Sequence, residues 1–98
     1  MHVRLSRFAG LDPDRIDETL RRFEEDELPR LNQQEGFGGI TVGVNRSTGQ
    51  AVAVVLWDTE AAVRNSEKLA AELRDRAVAT AKPSREPIVD RYEVVLRR

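Results

Sequence analysis

The two side chains best suited to contact a flat ligand are single aromatic residues in the second half of the chain. Trp57 is the only tryptophan, and its ring could wall a pocket and stack on a ligand while the indole N–H donates a hydrogen bond. Tyr92 is the only tyrosine, and its phenol could donate to a substrate oxygen. Both types also occupy ordinary core positions, with the tyrosine hydroxyl at the surface. They are therefore candidate ligand-binding residues.

Three polar residues complete the candidate set. Ser6 and Arg7 are adjacent near the start of the chain and could polarise an oxygen atom of a bound molecule. Asn65 could hydrogen-bond a ligand if its helix borders the pocket. The alternative for all three is a plain solvated position. No catalytic residue is identified, because carboxylates are abundant and none is marked by an apolar setting.

Histidine and cysteine limit the chemistry further. Cysteine is absent and His2 is the only histidine. One chain therefore lacks the ligands for a zinc site or a facial-triad iron site, and no serine lies beside a histidine base as a hydrolase triad requires. We expect no metal site, no disulfide and no cofactor.

The charge balance argues against binding to nucleic acid. The 98 residues include 16 basic and 17 acidic side chains, for a formal net charge of -1, whereas nucleic-acid binders carry a basic surplus. No apolar run is long enough to span a membrane, and residues 1–7 lack the apolar core of a signal peptide. We expect a cytoplasmic protein without a membrane partner.

The first half of the chain predicts a strand, a helix and a hairpin. Residues 2–8 alternate as a strand, and Asp12 and Pro13 are typical of a helix start. Because proline lacks a helical donor, Pro29 predicts that the main helix ends near Leu28, with an extra turn to about Gln33. Residues 40–45 and 51–57 follow as strands joined by a short polar turn, which favours an antiparallel hairpin.

The three glycines at 36, 38 and 39 lie between this helix and the next strand. A phosphate-binding loop would instead lead from a strand into a helix, so we interpret them as a helix stop and a tight entry into the strand, with Phe37 filling the core.

The second half predicts another helix and a last strand. Asp58, Thr59 and Glu60 suit a helix start. The helix has an alanine-rich inner stripe of Ala62, Ser66, Leu69, Ala70, Leu73 and Ala77. Residues 82–87 predict a loop, and the alternation from Ile88 to Leu96 predicts the fourth strand.

This order predicts one α+β domain over residues 1–98 with a ferredoxin-like βαββαβ fold. Two right-handed crossovers place the first and third strands at the centre of a four-stranded antiparallel sheet, with both helices on one face. The apolar third strand would leave on the other face either Val52, Val54 and Leu56 or Ala51, Ala53, Val55 and Trp57, at a cost of about 5 kcal/mol in water. We therefore predict a homodimer through the sheet face opposite the helices.

Three segments resemble the dimeric α/β-barrel superfamily, in particular its antibiotic-biosynthesis-monooxygenase-like branch. They are residues 35–39, with Gly-Phe-Gly-Gly; residues 54–62, with a hydrophobic-Trp pair before an acidic helix start; and residues 91–94. The resemblance covers nearly the whole chain and mainly describes the scaffold. It implies a pocket between the sheet and the helices, with Trp57 on the helix-facing side.

The resemblance implies two alternative functions. One is a cofactor-independent monooxygenase of an aromatic or polyketide-like substrate, in which Ser6 and Arg7 could polarise a quinol oxygen. The other is a non-catalytic ligand-binding or accessory protein on the same scaffold. Haem-degrading members need an asparagine and a histidine where this chain offers Ser6 or Arg7 and Ser66 or Glu67, and these coordinate iron poorly. Haem degradation is therefore not expected.

Overall fold

A computed structural model describes all residues, 1–98. The helices and strands, in chain order, are β1 (His2–Phe8), a 3-10 turn (Pro13–Arg15), α1 (Ile16–Arg22), a π-helical segment (Phe23–Glu27), α2 (Leu28–Asn32), β2 (Phe37–Asn45), β3 (Gln50–Trp57), α3 (Glu60–Asn65), α4 (Glu67–Ala81) and β4 (Ile88–Glu93). The strands form one antiparallel sheet in the order β2-β3-β1-β4. The predicted architecture, with the first and third strands in the centre, is confirmed.

The first helical region begins as predicted and differs at its middle. The Asp12 carboxylate accepts from the Asp14 N–H, and Pro13 opens the first turn. The helix does not end near Leu28. It widens into the π-helical segment, where the Leu28 N–H donates to the Phe23 carbonyl, and then continues to Asn32. A wider turn relieves the clash that Pro29 would make in regular α geometry.

The second helical region is divided at Ser66. The Thr59 side chain caps α3 by accepting from the Ala62 N–H at 3.0 Å. The Ser66 hydroxyl donates to the Val63 carbonyl at 2.8 Å, and α4 starts at the next residue. The predicted inner stripe is confirmed at its buried positions Ala62, Ser66, Ala70 and Leu73.

The β2–β3 hairpin is also confirmed. The Asn45 side-chain oxygen accepts from the Ser47 and Thr48 N–H groups, and Gly49 closes the turn with a φ of 71°. A register shift between Phe37 and Gly39 bends the start of β2.

The last strand is shorter than predicted. It ends at Glu93, which pairs with His2 at the start of β1, rather than at Leu96. Val95 and Leu96 have no strand partner there and are 86% and 74% exposed.

All helices pack on one face of the sheet, which holds two apolar clusters. One contains Trp57 with Leu31, Ala62, Val63 and Leu73; the other contains Leu11, Ile16 and Ala81. On the two central strands, register places five apolar residues on the opposite face, where no helix lies: Val3, Leu5, Val52, Val54 and Leu56. We call these five residues the open face. None of the helices combines the length and the apolar character that a membrane-spanning helix requires.

Candidate functional site

A cavity of about 130 Å³ lies between the helix side of the sheet and helices α1 and α4. Its wall includes members of both apolar clusters, Leu31 and Leu73 from the first and Leu11, Ile16 and Ala81 from the second. Small side chains leave this space: Ala51 and Ala53 on β3, and Ala70 and Ala77 on α4. The wall reaches the surface at Val42 on the edge strand β2, which is 39% exposed. The cavity is therefore apolar and open to a ligand from outside.

The central strand β1 contributes two polar residues to this apolar wall. Arg4 pairs with Val55 and Ser6 pairs with Ala53, which puts both side chains on the helix side of the sheet. Ser6 is 7% exposed and Arg4 is 2% exposed. The alternation of β1 thus places Val3 and Leu5 on the open face and the polar residues inside.

One nitrogen of the Arg4 guanidinium is held by neighbouring groups of the chain. Its Nη2 donates to the Val63 carbonyl at 2.8 Å and lies 3.1 Å from Glu67 Oε1. Its Nε is buried and has no hydrogen-bond partner. A buried arginine with a fixed head and one unused N–H can donate to a ligand without first moving.

Arg74 is the second cation of the cavity wall. Its Nη1 is buried without a hydrogen-bond partner, and it takes part in none of the ion pairs of the protein. Burial is the largest cause that lowers the pKa of Arg74 from its ordinary value. The nearby positive charge of Arg4 is the second. Both causes disfavour the charged form, so this guanidinium is poorly compensated in the folded protein.

Glu67 is the carboxylate that pairs with Arg4. Its Oε1 lies 3.1 Å from Arg4 Nη2 and 2.9 Å from Arg91 Nη1, without hydrogen-bond geometry to either. The Glu67 carboxylate thus interacts with both Arg4 and Arg91. No aspartate, glutamate, histidine, lysine or tyrosine lines the cavity.

The structure places one of the five predicted site residues on the cavity wall. That residue is Ser6. Trp57 faces the helices, as the resemblance implies, but it is 1% exposed in the packed cluster beside the cavity, where its ring meets Phe37 edge-on at 5.7 Å. Asn65 is exposed at the end of α3.

Arg7 and Tyr92 lie on the other side of the sheet. Tyr92 pairs with Val3 in register and is 48% exposed. Arg7 pairs with Val52 and forms an ion pair with Asp90 at 2.9 Å. The sheet therefore separates these two candidates from Ser6 and the cavity.

The sequence interpretation missed Arg4 and Arg74. A signal was present for each. Arg4 shares its strand face with Ser6, and Arg74 lies four residues after Ala70 and three before Ala77, in line with the inner stripe of the helix. A charged residue inside an apolar stripe marks either a paired core group or a ligand contact.

No metal-binding arrangement is present in the folded chain. No group of three or more His, Cys, Asp and Glu side chains could hold a metal ion.

Comparison with known proteins supports the fold more strongly than the activity. No protein-family model matches the chain. The uncharacterised protein Rv2558 of Mycobacterium tuberculosis is 31% identical over 65 residues, which are 66% of this chain. The match covers only 28% of that relative's length.

Two solved structures show the same fold over almost the whole chain. A monooxygenase from ActVA-Orf6 of Streptomyces coelicolor, solved in complex with nanaomycin D, has a TM-score of 0.75 at 16% identity, with 99% of this chain and 92% of that one covered. A point mutant of SnoaB from Streptomyces nogalater, a cofactor-independent oxygenase, has a TM-score of 0.69 at 19% identity, with coverages of 98% and 94%. The chain therefore has the ferredoxin-like fold of the antibiotic-biosynthesis-monooxygenase-like proteins.

Proposed function

We propose that this protein binds a flat aromatic or polyketide-like small molecule in the cavity and oxidises it as a cofactor-independent monooxygenase. The observation that carries the proposal is the apolar cavity itself, which the alanines of β3 and α4 leave open beside the buried Arg4 and Ser6. The fold shared with a cofactor-independent oxygenase and with a monooxygenase that holds nanaomycin D supports an aromatic or polyketide-like substrate.

The proposed reaction balances without a cofactor. A ring methylene and O2 give a ring ketone and water, so the substrate supplies all four electrons. The carbon loses two C–H bonds, one oxygen atom enters the product, and the other leaves as water. The protein's part is to bind the ring, exclude water and stabilise negative charge on the substrate oxygen through the guanidinium groups.

The alternative is a binding or accessory protein that uses the same cavity without catalysis. The observation that favours it is the absence of any carboxylate, histidine, lysine or tyrosine from the cavity wall. Proton removal from a substrate is usually assigned to such a group. Under this alternative the ligand binds and leaves unchanged.

Oxygen uptake with an anthrone-type substrate separates the two functions. Substrate-dependent O2 consumption with formation of the ketone supports the enzyme; binding seen by thermal shift without turnover supports the alternative. Ala77→Leu should fill the cavity and reduce binding, whereas Ala71→Leu adds the same volume on the exposed side of α4 and should not. Equal binding by both variants would place the ligand elsewhere.

We further propose that the protein is a homodimer through the open face. Its five apolar side chains share one surface of the two central strands, where no helix packs, and each is partly exposed in the single chain. An apolar surface that repeats on every copy is suited to a two-fold interface.

A further inference from the structure

We propose that the ligand of the cavity carries an anionic oxygen group, and that Arg74 binds this group together with Arg4. The inference deepens the proposed function and rests on it, because it assigns a chemical class to the same ligand. The class is an aromatic or fused-ring molecule with one carboxylate or one ionised phenol. The ring would occupy the apolar part of the cavity, and the oxygen group would reach the two arginines.

The first support is the geometry of Arg4. Its side chain is 3% exposed, and Val63 and Glu67 hold Nη2 in place. The Nε atom of the same guanidinium has no partner in the protein, although burial removes it from water. A buried donor without an acceptor costs about 1–3 kcal/mol, and a charged one costs more. An acceptor supplied by the ligand would remove that cost.

The second support is the uncompensated charge of Arg74. Arg74 also lines the cavity, and its buried Nη1 lacks a partner. Other arginines of this helical layer are paired: Arg76 with Glu27 and Glu72, and Arg64 with Glu60. Arg74 is thus a guanidinium whose missing partner does not come from the chain.

The third support is the local balance of charge. The positive charges of Arg4 and Arg91 lower the pKa of Arg74, while Glu67 and Asp75 are the carboxylates that attract Arg74. Glu67 is already shared between Arg4 and Arg91. Neither carboxylate lines the cavity. One negative charge in the cavity would match the positive excess, and arginine forks suit a carboxylate or phenolate oxygen.

Three probes of nearly equal shape test the charge requirement. They are 2-naphthoate, its neutral carboxamide and 2-naphthol, the last titrated above and below its own ionisation. We expect naphthoate to bind at least about ten-fold more tightly than the carboxamide, and naphthol to tighten as it ionises. Tightening of naphthol alone would identify the phenolate as the preferred group, whereas a preference for naphthoate alone would identify the carboxylate.

Arg74→Gln is the decisive variant, and Arg64→Gln is its control. We expect R74Q to lose the preference for naphthoate and to keep carboxamide binding. R64Q removes one exposed positive charge and should keep the preference. Since R74Q removes a desolvated charge, its melting temperature without ligand should equal or exceed that of the wild type, which a merely structural role would not allow.

The possible failures are distinct. Equal affinity of wild type for naphthoate and carboxamide, together with no tightening of naphthol on ionisation, would overturn the anion site and leave a cavity that binds neutral rings. An unchanged preference for the anionic probe in R74Q would overturn the role of Arg74. No binding of any probe would overturn the anion site and would also count against the proposed cavity function. A large loss of stability in R74Q would show that Arg74 supports the fold instead.

Discussion

Gly36 allows the end of the first helical region to lie directly against the start of α3. Its φ is 83°, and a Cβ atom built there would lie 2.6 Å from the Cβ of Ala62. The Gly36 carbonyl also accepts from the Asp58 N–H at 2.8 Å. An alanine would therefore meet both backbone strain and a collision, in a part of the fold that holds Trp57 in place.

We expect Gly36→Ala to lower the free energy of unfolding by about 2 kcal/mol or more. Urea denaturation followed by Trp57 fluorescence measures the loss. The matched test is the double variant Gly36→Ala with Ala62→Gly, which removes the collision and leaves the strained φ. The double variant should lose less stability than the sum of the two single variants. Simple additivity would show that the contact with Ala62 is unimportant.

At the residue scale, the fold is easier to predict from the sequence than the site. Asp12, Thr59 and the apolar run of β3 indicate structure through local rules that act over a few residues. Arg4 and Arg74 differ from the many other arginines of the chain only in what surrounds them. That environment is created by β1, α4 and the sheet together, so sequence spacing alone suggested it weakly.

At the scale of elements, the π-helical segment is tied to α4 by a buried carboxylate. The side chain of Glu27 is 8% exposed and accepts from Arg76 at 2.9 Å and from Arg30 at 3.3 Å. The widened turn that Pro29 requires is thus fixed to the neighbouring helix. The sequence predicts a helix end near Leu28; the structure instead has a widened turn whose buried carboxylate binds Arg76 of α4.

We expect Glu27→Gln to lower the free energy of unfolding by about 1–2 kcal/mol, because the two arginines lose a buried charged partner. Glu25→Gln is the control in the same segment: its ion pair with Arg21 is exposed, and the loss should stay below about 0.5 kcal/mol. Chemical denaturation of both variants measures the difference. Equal losses would contradict a special role for the buried carboxylate.

A second link between elements is expected to respond to pH. Arg46, in the β2–β3 turn, hydrogen-bonds Asp17 of α1 at 2.7 Å and lowers the pKa of that carboxyl below its ordinary value of 3.8. The ion pair therefore stabilises the fold above that value and is lost as the pH falls through the lowered pKa. In Arg46→Gln, NMR titration should show the pKa of Asp17 rising toward 3.8. An unchanged pKa would exclude Arg46 as the cause.

At the scale of the whole molecule, the open face is the surface that we expect a partner chain to cover. Its side chains were predicted from β3 alone, and register adds Val3 and Leu5 from β1. The edge of this face carries Tyr92 and Ile88, which are 48% and 59% exposed in the single chain. A two-fold interface here should bury well over about 1,000 Å² in total.

We expect Val54→Asp to weaken the proposed dimer by several kcal/mol, because it puts an unpaired charge at the centre of the interface. Val54→Thr keeps the branched shape and should leave the dimer at micromolar concentration. Sedimentation velocity distinguishes the two. A folded wild-type monomer under these conditions would show that the open face needs no partner.

The alanines around the cavity favour ligand affinity at the expense of the heat stability of the empty protein. A larger side chain at Ala53, Ala70 or Ala77 would add apolar contacts to the empty protein and take the same volume from the ligand. Selection for heat resistance alone would therefore favour closing the cavity. With ligand present at about a hundred times its Kd, binding adds about 2.7 kcal/mol to the folded state, and small residues become the stable choice. The preferred sequence at these three positions thus depends on whether the ligand is present while the protein evolves.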